Sequence, residues 1–190
     1  MIILRRIIKY LFYKIKPSLI RALLFKTWLR HRFGFGGSGI TKALKNWIWK
    51  NIRKGETIVE LGAGLVSTRI LSKQYNLISV EDNENYVGLY SKATYIHAEI
   101  DPYTQWYSLK PDKLPKEFKL LIIDGPSGSH LRSNILQCSW ILERTNIIIV
   151  DDTWRESERL LAESIQAKAD GKIFHYGSFS VINNLKVQDL

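Results

Sequence analysis

Carboxylates recur along this 190-residue chain at the ends of apolar runs: Glu60, then Glu81 with Asp82, then Asp124, then Asp151 with Asp152. His97 and Glu99 follow a fifth such run. A carboxylate at a strand end has three chemical uses: it can accept hydrogen bonds from ribose hydroxyls, take a proton, or coordinate a hard cation. A random surface would scatter acids rather than gather them at strand ends, so the pattern marks a crevice in which chemistry is done. Beside the first acid lies Gly62-Ala-Gly64, followed by Ser67 and Thr68 at the opening of a helical stretch. Strand, tight glycine turn and helix N-terminus form the arrangement that receives a nucleoside-bearing ligand in open α/β sheets. Glu81 lies 19 positions past Gly62, where an acid can hold both ribose hydroxyls. Asp82 stands beside it, and His97 falls where it would border the base of the same ligand.

The elements that must position these groups are legible from residue 56 onward. Strands are expected at 57–61, 77–81, 94–97, 119–124, 146–151, 172–176 and 179–184, and helices at 67–75, 84–92, 131–143 and 154–168. Continuous apolar strands such as Leu120-Leu-Ile-Ile and Ile147-Ile-Ile-Val require a sheet covered on both faces. Alternation of strands with helices makes the fold α/β, Rossmann-like, with a mostly parallel seven-stranded sheet. Only Gly177 and Ser178 separate the last two strands, too few for a parallel crossover, so they form a C-terminal antiparallel hairpin that ends the sheet. Either Asp151 or Asp152 is expected to cap the helix that opens near Trp154.

Charge divides the chain in two. Residues 1–55 carry 14 Lys and Arg with no acid, whereas residues 56–190 carry 14 bases against 18 acids, within a net charge of +10. A basic leader (residues 1–33) therefore precedes a mildly acidic domain (34–190), and its natural partner is an anionic surface: phospholipid, nucleic acid or acidic glycan. Pro17 divides the leader into amphipathic helices over 2–16 and 18–30. These suit the inner face of a membrane as a peripheral anchor, or packing on the domain or a second subunit. No apolar run approaches the roughly 18 residues of a membrane span, and charges interrupt any signal-peptide core. A cytoplasmic location follows, to which the lone Cys138 also points. With no His or second Cys as sequence neighbour, Cys138 is a packing residue. The glycine-rich stretch 34–39 is a hinge, and not a P-loop, because the Lys-Ser/Thr pair is missing. It precedes a helix with apolar positions 40, 44, 47, 48 and 52.

Together, Glu60-x-Gly62-x-Gly64, Glu81, the acid-tipped fourth strand and the closing hairpin resemble class I S-adenosylmethionine-dependent methyltransferases over residues 40–185. The resemblance implies that Glu60, Gly62 and Gly64 lie along the methionine part of the cofactor and that Glu81 holds its ribose, with Asp82 and His97 nearby. Val66 stands where many members carry a third glycine, a departure that weakens a nicotinamide fingerprint still more. Asp124, Asp151 and Asp152 are similar in spacing to the metal ligands of catechol-type O-methyltransferases, with Asp152 in the place of an Asn. That likeness implies Mg²⁺ or another divalent cation, which would also relieve the repulsion among three clustered carboxylates. Asp-Gly-Pro followed later by Asp-x-x-Arg also looks like methyltransferases of polysaccharide sugar hydroxyls. The expected reaction is metal-assisted O-methylation of a sugar, glycan or other polar small molecule, with Asp124 and His130 as catalytic groups and Arg132 and Arg155 gripping an acidic part of the substrate. A nucleic-acid-binding protein or RNA methyltransferase is the competing reading, motivated by the basic leader. Nucleic acid is the less expected partner, because no base-methylating Asp/Asn-Pro-Pro-aromatic turn and no nucleic-acid-binding motif is present.

Overall fold

A computed structural model describes residues 40–126 and 132–183. The basic leader at 1–33, the hinge at 34–39 and His130 lie outside the described residues. Among the described residues no helix is long and apolar enough to cross a membrane.

The chain order is α1 (Lys42–Asn51), β1 (Thr57–Leu61), α2 (Ser67–Leu71), β2 (Asn76–Glu81), β3 (Thr94–His97), β4 (Phe118–Ile123), α3 (Ser139–Leu142), β5 (Thr145–Asp151), α4 (Glu156–Ala169), β6 (Lys172–His175) and β7 (Phe179–Asn183). All seven strands join one sheet in the order β3-β2-β1-β4-β5-β7-β6. Pairing is parallel from β3 to β5, while β7 runs antiparallel to both β5 and β6. The closing hairpin is therefore present, but its antiparallel strand does not end the sheet. β7 inserts beside β5 and leaves β6 at the edge. Insertion buries all of β7 except its last residue, which is why Phe179-Ser-Val-Ile can be almost wholly shielded while β6 remains half open.

Each central strand presents alternate side chains to two faces. On one face Ile58, Leu77, Leu120, Ile122 and Ile149 pack against Leu44 and Ile48 of α1 and Leu71 of α2. On the other, Val59, Leu61, Leu121, Ile123, Ile148 and Val150 meet Leu161, Ala162 and Ile165 of α4. This three-layer arrangement explains the unbroken apolar runs of β4 and β5: both of their faces are inside.

Two expected helices are much shorter. Residues 84–92 hold one 3₁₀ turn (Glu84–Tyr86) begun by Asn83, whose side chain accepts from the Asn85 amide. The extended Val87 and the left-handed Gly88 (φ 77°) stop it there. Residues 131–143 divide into a 3₁₀ turn, Arg132–Gln137, and the four-residue α3, because Cys138 between them is not helical (φ −110°, ψ 52°). Cys138 packs partly buried against the core, as expected of a packing residue.

Candidate functional site

The order of strands reverses between β1 and β4, so the loops leaving these two strands diverge and open a crevice at their C-terminal ends. Gly62 leaves β1 there and Gly125 leaves β4. Gly62 has φ 93°, and a Cβ on it would lie 2.9 Å from the Cα of Gly125. Glycine is required at 62 for both reasons, and the reason is contact between two backbones rather than approach of a ligand. At Gly64 the space a Cβ would fill is occupied by the Ser67 hydroxyl.

Three side chains hold the turn in place. Glu81, at the end of β2, accepts from the Ala63 amide at 2.7 Å through one oxygen and from the Asn83 amide at 2.9 Å through the other. Each carboxylate oxygen keeps a further lone pair for a ligand hydroxyl. Burial pushes the pKa of Glu81 up, against the pull of those two amides. The Gly64 amide donates to Thr68 Oγ1 at 2.9 Å, which in turn donates to Glu60 Oε2 at 2.6 Å. Ser79, opposite Glu60 in the β1–β2 register, donates to the same oxygen at 2.9 Å. Glu60 is thus turned inward under the turn, fully buried, and its pKa rises to about 7 because burial outweighs the hydroxyls around it.

Few buried side-chain polar atoms among the described residues lack a well-aligned hydrogen bond, and they cluster here: Glu60 Oε1, Ser67 Oγ, Tyr95 Oη and Tyr107 Oη. Ser67 stands beside the Glu60 carboxyl as a hydrogen-bonding partner and lowers its pKa, as Thr68 and Ser79 do. Tyr95 feels the charge of Glu60, and burial lifts its pKa to about 12. Native interiors satisfy nearly all such groups; Ser67 and Glu60 have each other and Tyr95 has the Tyr90 backbone, so the Tyr107 hydroxyl is the one that stands out.

The acids on the other side of the crevice gather round a guanidinium. Arg132 donates to the Asp124 carbonyl at 2.7 Å and to Asp124 Oδ1 at 3.1 Å, lies 3.6 Å from Asp152, donates to the Asp151 carbonyl at 3.3 Å and approaches Glu158 at 4.0 Å. Arg155 pairs with Asp152 at 3.0 Å and with Glu158 at 3.5 Å. Burial, then repulsion from Asp151, raises the pKa of Asp124 well above the usual carboxylate range against the pull of Arg132. Burial likewise lifts Asp151 to about 6.

This arrangement corrects three expectations. The divalent cation does not fit Asp124, Asp151 and Asp152 as they stand. Arg132 occupies the ground among them and relieves their repulsion, and no three His, Cys, Asp or Glu among the described residues converge on a point that would hold a metal. Arg132 and Arg155 are committed to acids of the protein instead of reaching out for an acidic substrate. Neither aspartate caps α4, whose N-cap is Arg155 without a side-chain bond. The Asp151 side chain accepts from the Asp152 amide at 2.9 Å and that of Asp152 from Trp154 Nε1 at 3.1 Å.

His97 ends β3 opposite Glu81 and bonds the Asp82 carbonyl at 3.1 Å, so Glu81, Asp82 and His97 do share one rim of the crevice. Sequence reasoning missed Tyr95 and Tyr107, which carry no spacing signal, and the role of Arg132. Asp124 and Glu158 at i−8 and i+26 from that arginine follow no helical or strand period that would have betrayed the cluster.

No family model matches the chain, and no curated protein matches its sequence. Solved structures do. A TehB-like SAM-dependent methyltransferase from Corynebacterium glutamicum superposes with a TM-score of 0.52 at 13% identity, covering 89% of this chain and 100% of that one. The magnesium protoporphyrin IX methyltransferase ChlM of Synechocystis, solved with bound SAM, gives a TM-score of 0.43 at 13% identity over 83% of this chain and 88% of that one. The chain has the class I methyltransferase fold: a seven-stranded, mostly parallel sheet closed by an antiparallel hairpin.

Proposed function

We propose that the protein is an S-adenosylmethionine-dependent methyltransferase that methylates a hydroxyl of a sugar, glycan or other polar small molecule. The observation that carries this reading is the Glu81 carboxylate, which pins the Gly62–Gly64 turn through the Ala63 amide and keeps lone pairs for ligand hydroxyls, in a fold of the class I type. A ligand with a ribose suits those lone pairs. When bound, S-adenosylmethionine supplies a methyl group on a sulfonium, open to in-line attack by an oxygen.

The chain's own residues do the rest. Glu81 takes the ribose hydroxyls on its spare lone pairs while it keeps the Ala63 amide. Asp124, whose pKa is raised by burial and by Asp151, takes the proton that the attacking hydroxyl loses. Arg132 holds Asp124 in place through its carbonyl and its carboxylate. No step runs through a metal, since the guanidinium stands where the cation would.

Calorimetry with S-adenosylmethionine tests the reading. The wild type binds, and Glu81→Ala weakens binding at least a hundredfold (about 2.7 kcal/mol, from the loss of two charged hydrogen bonds). A wild-type protein that takes up no heat of binding would sink the proposal.

A further inference from the structure

Tyr107 lies on the connection between β3 and β4, held by a β-bridge to Ile100 and edge-on to Trp106 with ring centroids 5.2 Å apart. Its ring is buried in the core that covers the α4 face of the sheet. Its hydroxyl reaches the junction where Gly62 meets Gly125, and a Cβ on Gly125 would collide with it. That oxygen is shielded from solvent and has no hydrogen-bond partner among the described residues. Leaving a buried hydroxyl unpaired costs free energy that a phenylalanine would avoid, because its ring would pack the same way. None of the described residues completes the site. Glu81 and Asp82 on one side and Asp124 and Arg132 on the other all act electrostatically on the hydroxyl, Glu81 most strongly, and burial keeps it protonated. A protonated hydroxyl keeps its proton to donate to a ligand oxygen.

We propose that Tyr107 is a cofactor-binding residue, its hydroxyl donating to an oxygen on the ribosyl part of the ligand where that ligand crosses the Gly62–Gly125 junction. The inference rests on the methyltransferase reading and adds a contact to it. Because the ribosyl part is common to S-adenosylmethionine and its demethylated product, S-adenosylhomocysteine, the contact is blind to the transferred methyl. It sets affinity for both ligands alike.

The experiment pairs calorimetry with thermal unfolding, on the wild type and Tyr107→Phe. Binding of both ligands weakens about tenfold, while the unfolding midpoint of the ligand-free variant equals or exceeds that of the wild type, since an unpaired buried group has been removed. Equal affinities in the two proteins overturn the inference. A lower ligand-free midpoint does so too, because it shows that the hydroxyl has a structural partner. If the wild type binds neither ligand, the methyltransferase reading falls first and the role of Tyr107 with it.

Discussion

Glu60 offers a pH test worked from the structure alone. Its carboxyl is fully buried, with a pKa of about 7 in the folded chain against 4.5 for an unperturbed glutamate. The folded state therefore binds the proton more tightly than the unfolded state, and the contribution to stability is complete below pH 4.5 and lost as pH rises through 7. At more than about 1 kcal/mol per pH unit over this window, Glu60 alone should lower unfolding stability by about 2 to 3 kcal/mol between pH 5 and pH 8. Glu60→Gln keeps an oxygen for Thr68 and Ser79 and turns its amide toward Ser67, but cannot ionise. Urea unfolding of both proteins at pH 5, 6, 7 and 8 gives the measurement. With a dependence near 2 kcal/mol per molar urea, the wild-type midpoint should fall by about 1 M more than that of the variant. Asp151, raised to about 6, tilts both profiles the same way and cancels in the difference. Parallel profiles for the two proteins would refute the assignment of a buried, strained ionisation to Glu60.

Two more substitutions probe the frame round the site. Arg132→Met leaves Asp124 uncompensated, while Asp152 keeps Arg155, and should cost about 3 kcal/mol in urea unfolding, the low end of the range for a broken buried pair because the Asp124 side chain is 26% exposed. Mg²⁺ at millimolar concentration should raise the thermal midpoint of that variant and leave the wild type unmoved; a wild type stabilised by Mg²⁺ would mean that the guanidinium does not own the site. Gly62→Ala, with φ at 93° and Gly125 in the way, should lose more than about 2 kcal/mol, and a variant as stable as the wild type would show that the two loops are not in contact.

Strands were the most legible part of the sequence because burial on both faces leaves an unambiguous apolar run, as in Leu120 to Ile123. The acids at strand ends were legible for the same reason, since a run has a visible last residue. Insertion of β7 between β5 and β6 was not: two residues between strands dictate a hairpin but say nothing about which strand turns inward. The short 3₁₀ turns were read as helices because one turn and three share a hydrophobic period, and the stop at Gly88 depends on a single backbone angle. Repulsion among Asp124, Asp151 and Asp152 was foreseen correctly, but the neutralising group came from far along the chain. A cation and a guanidinium answer the same repulsion, and only the fold shows that Arg132 reaches it.

The position of β7 also fixes the order in which this sheet can be completed during synthesis. β5 and β6 are made first, yet they cannot lie side by side, because the place between them belongs to a strand that has not yet left the ribosome. Until Asn183 is available, one full edge of β5, from Ile147 to Asp151, has its ladder partners missing. A chain stalled or cut between residues 176 and 179 would thus carry the whole glycine turn and every strand-end acid, and still present an open, apolar edge beside Asp151 to any extended peptide it met.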